Sequence, residues 1–330
     1  MSKQQRNLSG NPAKRAAQAA RLRASSGSHA SSQSGQHSTD SRPVWRLWLA
    51  GARLRTLPLA VAPVLLGAAL AHRVHSFSLT LSLLALIVAL ALQIGVNYAN
   101  DYSDGIRGTD DFRAGPARLT GSKAVQPHLV KNAAFACFGM AGLAGIAAVA
   151  ISGMWWFLAI GAVAVLAAWG YTGGKRPYGY MALGEVAVFV FFGLVATAGT
   201  YFLQARVNLP ELWWAASGVG LFAVAALIAN NIRDIPTDRL AGKRTLAVLL
   251  GSRASRALYV VCVAAPFAVP VLFAPFYGGM PLVYLVGFIA APAAIIAICA
   301  RTPRELILVL QLTSYAGFLY AATLSAAFAL

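Results

Sequence analysis

VNYANDYSDGIRGTDD (residues 96–111) ends one long apolar run, and LIANNIRDIPTDRLAGKRT (227–245) ends another. Together they hold six of the chain's ten carboxylates: Asp101, Asp104, Asp110, Asp111, Asp234 and Asp238. Charge at the end of a membrane helix is costly and marks function by default. On a helix, positions i, i+4 and i+7 share a face. Asn97, Asp101 and Asp104 obey that spacing, and Asn100 makes a second i,i+4 pair with Asp104. In the second block Asn230, Asp234 and Asp238 fall at i, i+4 and i+8. Pro236 should break that helix near Asp234 and leave Asp238 on the following loop, because proline is tolerated only in a helix's first turn. Arg107 follows the first block, and Arg239, Lys243 and Arg244 follow or close the second. Two acid clusters interleaved with cations suggest a metal-bridged diphosphate. Mg²⁺ takes one or two carboxylates per site plus substrate phosphate oxygens, and a leaving pyrophosphate concentrates negative charge that cations must meet.

The rest of the chain supplies a membrane setting. Of 330 residues, 58% are hydrophobic and only 11% charged, against about 25% charged in a soluble domain. Nine runs are long enough to span a bilayer, near 57–72, 77–98, 132–152, 154–171, 182–203, 212–231, 256–274, 280–299 and 307–329, since a spanning helix needs roughly 20 apolar residues. The expectation is an all-α polytopic membrane protein, with about nine transmembrane helices in one bundle (41–330) around a cytoplasm-facing central cavity. Residues 1–40, rich in Ser, Gln, Gly and Arg, are expected to form a disordered basic cytoplasmic tail. No apolar stretch follows its basic residues, so it does not read as a signal peptide. Cys137, Cys262 and Cys299 all lie in apolar runs without metal-site spacing, as packing residues would.

The net charge of +17 could point to nucleic acid, but its distribution does not. Of 27 lysines and arginines, 25 precede the first span or fall in loops on the same side; only Arg73 and Arg206 do not. That is the positive-inside pattern. It places the N-terminus and both acid blocks in the cytoplasm, nine spans place the C-terminus outside, and the lipid bilayer rather than nucleic acid is the partner. A cell-membrane, multi-pass location follows.

Other segments complete the picture. WRLWLAGARLRTLP (45–58) suits the membrane interface, with Trp45 and Trp48 at the headgroups and Arg46, Arg53 and Arg55 towards the cytoplasm. The polar segment 105–131 could cap a cytoplasmic opening. Asn97-x₃-Asp101 recurs as Asn230-x₃-Asp234, a faint sign of duplication around a shared site. Lys175 and Arg176 lie in YTGGKRPYGY, where Lys175 could neutralise phosphate. Glu185, the one acid well inside a span, needs a partner or a job: it could bond an acceptor substrate or a neighbouring helix. Tyr171, Tyr178, Phe189, Phe191, Phe192 and Tyr201 could line a groove for a polyisoprenoid or flank a carbocation. A cation-coupled transporter would instead put carboxylates near mid-membrane on broken helices. These acids gather at one face among Lys and Arg, which favours anion chemistry.

NDYSDGIRGTD and NNIRDIPTDRLAGKRT resemble the two Asp-rich motifs of the UbiA-type intramembrane aromatic prenyltransferases. GARLRTLPLAVAPVLLG (51–67) and RPYGYMALGEVAVFVFFGLVATAGTYFLQ (176–204) extend the resemblance over about residues 45–250. Within that family the wording is most similar to members acting on 1,4-dihydroxy-2-naphthoate in menaquinone synthesis, and to actinobacterial ones. The resemblance implies a nine-helix bundle that binds polyprenyl diphosphate through Mg²⁺ and transfers the prenyl group to dihydroxynaphthoate with loss of CO₂ and diphosphate. A different aromatic acceptor, such as 4-hydroxybenzoate, is the alternative. It implies Asp101, Asp104, Asp234 and Asp238 as metal ligands and catalytic residues, with Lys243 beside them. Asn97, Asn100, Arg107, Lys175, Arg239, Arg244, Tyr171, Tyr178 and Glu185 are the candidate substrate contacts. Gly108 stands where many members carry a further Asp, leaving Asp110 as a less regular metal candidate.

Overall fold

A computed structural model describes residues 43–108, 118–174 and 176–329. The 1–40 tail, Asp110, Asp111 and Lys175 lie outside the described residues. Within those residues the chain is helical throughout, with no strand. The helices are α1 (Val44–Ala52), α2 (Pro58–Arg73), α3 (Leu79–Ile106), α4 (Pro127–Ser152) and α5 (Phe157–Gly170). There follow α6 (Gly184–Phe202), α7 (Pro210–Leu240), α8 (Leu246–Phe273), α9 (Met280–Cys299) and α10 (Pro303–Ala329).

Seven of these are long and apolar enough to cross a membrane, and α1 with α2, joined through a 48° bend, makes an eighth. The ninth expected span, 154–171, is a 14-residue helix preceded by a turn. At 1.5 Å per residue α5 covers about 21 Å, short of the ~30 Å hydrocarbon core. Among the described residues, length and composition by themselves qualify seven or eight spans; the expected count of nine is not confirmed by this criterion.

The bend between α1 and α2 has a local cause. Arg53 closes α1 in the left-handed region (φ 55°), a single 3₁₀ turn follows, and Pro58 opens α2, where its missing N–H costs nothing. Trp48 is held inward by Tyr98, whose ring it meets edge-on at 5.3 Å and whose hydroxyl donates to its carbonyl.

Helix α7 is the axis of the bundle: 72% of its most apolar 18-residue stretch is buried, more than in any other span. It packs on α6, α8 and α10, while α2 packs on α6 and α10, and α3 pairs with α4. Lipid tails are as apolar as leucine, so such contacts depend on close packing, often at small residues. A Cβ on Gly193 of α6 would sit 2.6 Å from the Gly220 Cα of α7, and one on Gly67 of α2 would sit 2.5 Å from the Thr197 carbonyl. The opposite faces present Leu143 and Phe288 outward, as a lipid-facing surface requires.

The chain runs through Pro236 without a break, and α7 continues to Leu240. This corrects the expected break at Asp234. Pro236 is exposed and close to the helix end, and the Thr237 hydroxyl donates to the Asp234 carbonyl at 2.9 Å. Asp238 therefore shares a helical face with Asp234. In α6, residues 189–195 form a π-helical stretch, a winding that recurs at functional sites.

Candidate active site

Helices α2–α7 enclose a cavity of about 1080 Å³, at the large end of the range for small-molecule sites. Its two ends differ in chemistry. One is polar, formed by the C-terminal turns of α3 and α7 and the chain after each. The other is apolar, walled by residues such as Val88, Leu92, Val149, Leu158, Val195 and Leu203.

At the polar end Asp104 is the hub. Its Oδ1 accepts from the Tyr180 hydroxyl at 2.5 Å and from Lys243 Nζ at 2.9 Å; its Oδ2 accepts from Arg118 Nη1 at 3.2 Å. Lys243 also lies 3.9 Å from Asp238 Oδ1, so one ammonium spans both acid motifs although they are more than 130 residues apart in sequence. Arg233 grips the neighbouring Asp234 with two bonds of 2.7 Å and Asn230 with a third. Asp101 accepts the backbone N–H groups of Leu119 and Thr120. Asn97 donates to the Ala52 carbonyl at the end of α1, and Asn100 accepts from Thr172.

The 171–180 loop closes one side. Lys243 sits 4.6 Å from the centre of the Tyr180 ring and the Arg107 guanidinium 5.4 Å from it. Burial, reinforced by the adjacent Asp104 charge, pushes the Tyr180 hydroxyl above its ordinary pKa, so it stays protonated and donates. Burial likewise pushes Tyr178 up to about 12, and its hydroxyl donates to the Ala167 carbonyl.

The structure gathers most of the expected residues. Asn97, Asn100, Asp101, Asp104, Asp234, Asp238, Lys243, Tyr171 and Tyr178 all line the cavity, as do Phe191 and Phe192. Arg107 does not: it is exposed and staples the loop by donating to the Thr172 and Gly174 carbonyls. Arg239 and Arg244 are exposed and off the cavity, Arg244 giving its backbone N–H to the Tyr180 carbonyl. Glu185 is buried behind the wall and accepts from Asn231 of α7 at 3.0 Å, the neighbouring-helix alternative. Phe189 packs in the core and Tyr201 is fully buried there. Sequence reading missed Arg118, Arg233 and Tyr180 as cavity residues and placed Arg53 and Arg55 only at the interface. All five line the cavity.

The donor set fits a hard cation. The acids and amides at the polar end are oxygen donors, and no histidine or cysteine lines the cavity among the described residues. Among those residues, no three metal-ligating side chains converge into a ready-made cage. Mg²⁺ is commonly held by one or two carboxylates, with water and substrate phosphates completing the shell.

The sequence profile of the UbiA prenyltransferase family matches residues 60–305, most of the chain. The chain belongs to the UbiA prenyltransferase family. Among UbiA relatives, 1,4-dihydroxy-2-naphthoate octaprenyltransferase of Mycobacterium tuberculosis is 46% identical over 86% of this chain and 96% of its own length. The enzyme of the same description from Mycobacterium leprae is 53% identical over 64% of this chain and 72% of its own. The one from Escherichia coli is 41% identical over 62% and 68%. Solved UbiA structures share the fold. An apo homolog from Aeropyrum pernix K1 aligns with a TM-score of 0.60 at 17% identity, over 84% of this chain and 98% of that one. A homolog from Archaeoglobus fulgidus bound to GPP and Mg²⁺ aligns at 0.51 and 14%, over 84% and 100%.

Proposed function

We propose that this UbiA-family protein transfers a polyprenyl group from its diphosphate to 1,4-dihydroxy-2-naphthoate, releasing CO₂ and diphosphate and giving the demethylmenaquinol of menaquinone synthesis. The observation that carries the reading is Lys243 spanning both acid motifs at the polar end of an otherwise apolar cavity. One end suits a charged head and the other a hydrocarbon tail. The naphthoate acceptor rests on these relatives, the Mycobacterium tuberculosis protein being matched over 96% of its length.

In this reading the diphosphate lies among Lys243, Arg118, Arg53 and Arg233. Asp104, Asp234 and Asp238 would hold Mg²⁺, which when bound offsets charge on the bridging and leaving oxygens. In the free protein the same carboxylates and cations neutralise one another. Substrate can therefore enter by exchange of partners, without leaving bare charge in a low-dielectric site. Tyr180 and Lys243 hold protons on the leaving-group side. Cleavage of the C–O bond sends its electron pair to the diphosphate and leaves an allylic cation, which the Tyr171, Tyr178, Phe191 and Phe192 faces can attract while the apolar wall excludes water. The electron-rich ring attacks through its carboxyl-bearing carbon, and loss of CO₂ returns the electron pair to the ring. The site faces the cytoplasm, where positive-inside counting puts the basic loops.

The test is product mass spectrometry with purified protein in nanodiscs, dihydroxynaphthoate and a polyprenyl diphosphate. A prenylated product lacking CO₂ should form with Mg²⁺ and disappear with EDTA. Turnover of hydroxybenzoate alone would move the acceptor; no prenyl transfer to any acceptor would sink the reading.

The apolar wall gives a second expectation. Gly139, Gly142 and Gly161 line the cavity, and a Cβ on any of them would meet nothing within 4 Å. Gly142→Phe should therefore fold and fill the channel. Turnover of a long donor should fall by roughly tenfold or more while geranyl diphosphate is still used, one factor of ten being 1.4 kcal/mol. Equal loss with both donors would show that the tail does not run along this wall.

A further inference from the structure

Four motif carboxylates line the cavity, but they are engaged in two different ways. Asp104, Asp234 and Asp238 face Arg118, Lys243 and Arg233, long side chains that can turn from carboxylate to phosphate. Asp101 does not. It is the most buried of the four, 2% exposed. Its Oδ2 accepts from the Leu119 N–H at 3.0 Å and its Oδ1 from the Thr120 N–H at 2.9 Å. Backbone amides cannot swing away; both oxygens are released only if the segment lifts off α3.

That segment is seated closely. Leu119, 1% exposed, packs with Leu47, Tyr98 and Ala99. Thr120 lies so near Gly105 of α3 that a Cβ there would come within 2.4 Å of its Cγ2. The Val125 N–H returns to the Leu119 carbonyl and the Lys123 N–H to the Thr120 carbonyl, so 119–125 folds as a compact turn. Arg118, next to the pinned pair, extends to Asp104 with a side chain only 10% exposed.

Resting on the reading of the cavity as a diphosphate site, we propose that Asp101 is a positioning residue and not a metal ligand. It docks residues 118–125 on α3 and thereby aims Arg118 at the diphosphate. Gly105 serves the same purpose by leaving room for Thr120. The first motif thus divides its labour: Asp104 meets the metal and substrate, and Asp101 fixes the neighbouring cation.

The experiment compares the parent with Asp101→Asn, Asp104→Asn and Gly105→Ala in detergent, using Mn²⁺ with inorganic pyrophosphate as the probe. Mn²⁺ binding is read by electron paramagnetic resonance, backbone mobility by amide hydrogen exchange, and turnover as KM and kcat. In Asp101→Asn one oxygen becomes an amide NH₂ that cannot accept, so exchange at Leu119 and Thr120 should speed by roughly 100-fold. KM for the prenyl donor should rise, and Mn²⁺ binding should stay within about twofold of the parent, whereas Asp104→Asn loses it. Gly105→Ala, with all carboxylates intact, should reproduce the faster exchange and raised KM. Combining Asp101→Asn with Arg118→Ala should cost little beyond Arg118→Ala alone, because both remove one function.

Loss of Mn²⁺ from Asp101→Asn to the extent seen in Asp104→Asn, with Leu119 and Thr120 exchange unchanged, would overturn the assignment and return Asp101 to the metal. So would a Gly105→Ala protein that matches the parent in both exchange and KM, a result available even if the Asp101 variant does not fold. Failure of the parent to bind Mn²⁺–pyrophosphate would instead remove the diphosphate reading on which the assignment rests.

Discussion

Asp104→Asn should lower kcat/KM for prenyl transfer by roughly 1000-fold, the scale of losing a preorganised electrostatic contact in a dry site. Tyr180, Lys243 and Arg118 all donate to this carboxylate. The amide keeps the size but removes the charge, so Lys243 and Arg118 lose a counterion and Mg²⁺ loses a donor. The side chain is 5% exposed, and breaking a buried pair by removing one partner costs about 3–5 kcal/mol. The variant should therefore also melt earlier. The two effects separate by saturating with substrate: a stability defect alone lowers the active fraction, and kcat per folded molecule would then match the parent. Activity per folded molecule within tenfold of the parent would remove Asp104 from the reaction.

The second large effect is expected at Lys243. Its ammonium lies between Asp104 and Asp238 and over the Tyr180 ring, so it sees both motifs and the leaving group's charge. Lys243→Gln should lower kcat and kcat/KM together by roughly 100-fold, the pattern of an interaction made chiefly in the transition state. If only KM rose, the lysine would serve binding alone. Steady-state kinetics at saturating Mg²⁺ decides between them.

These two residues were legible in sequence because their chemistry is written in local spacing. Asn97, Asp101 and Asp104 share a face by helical periodicity, and the structure puts all three on the cavity wall. Asp234 and Asp238 obey the same rule, but Pro236 obscured it: the penalty for proline is local, and its exposed place close to the helix end is not visible until the helix is built. Arg118 and Arg233 were hidden for another reason. Basic residues in these loops already answered to membrane topology, and nothing in their spacing says which of them fold back over the acids. Arg107 shows the converse, standing beside the motif in sequence yet spending its guanidinium on loop carbonyls. The helix within 154–171 is shorter than its composition suggests. Residues 154–171 are continuously apolar, but the chain turns at Met154–Trp156 before α5 begins. The π-helical stretch of α6 leaves no signature at all in hydrophobic pattern.

The hub at Asp104 has a consequence for how the chain is made. Among its cation partners in the described residues, Arg118 lies 14 residues downstream, whereas Lys243 lies 139 residues downstream. During synthesis the end of α3 leaves the ribosome long before α7 exists, at a stage when an unpaired carboxylate would resist entry into lipid. Arg118 is near enough in sequence to accompany it through that interval. Tyr180 follows with the loop after α5, and Lys243 only when the seventh helix and its following turn are in place. The nascent protein therefore carries a half-neutralised, inert version of the site until late in translation, and reactivity is assembled by the same event that completes the bundle's axis.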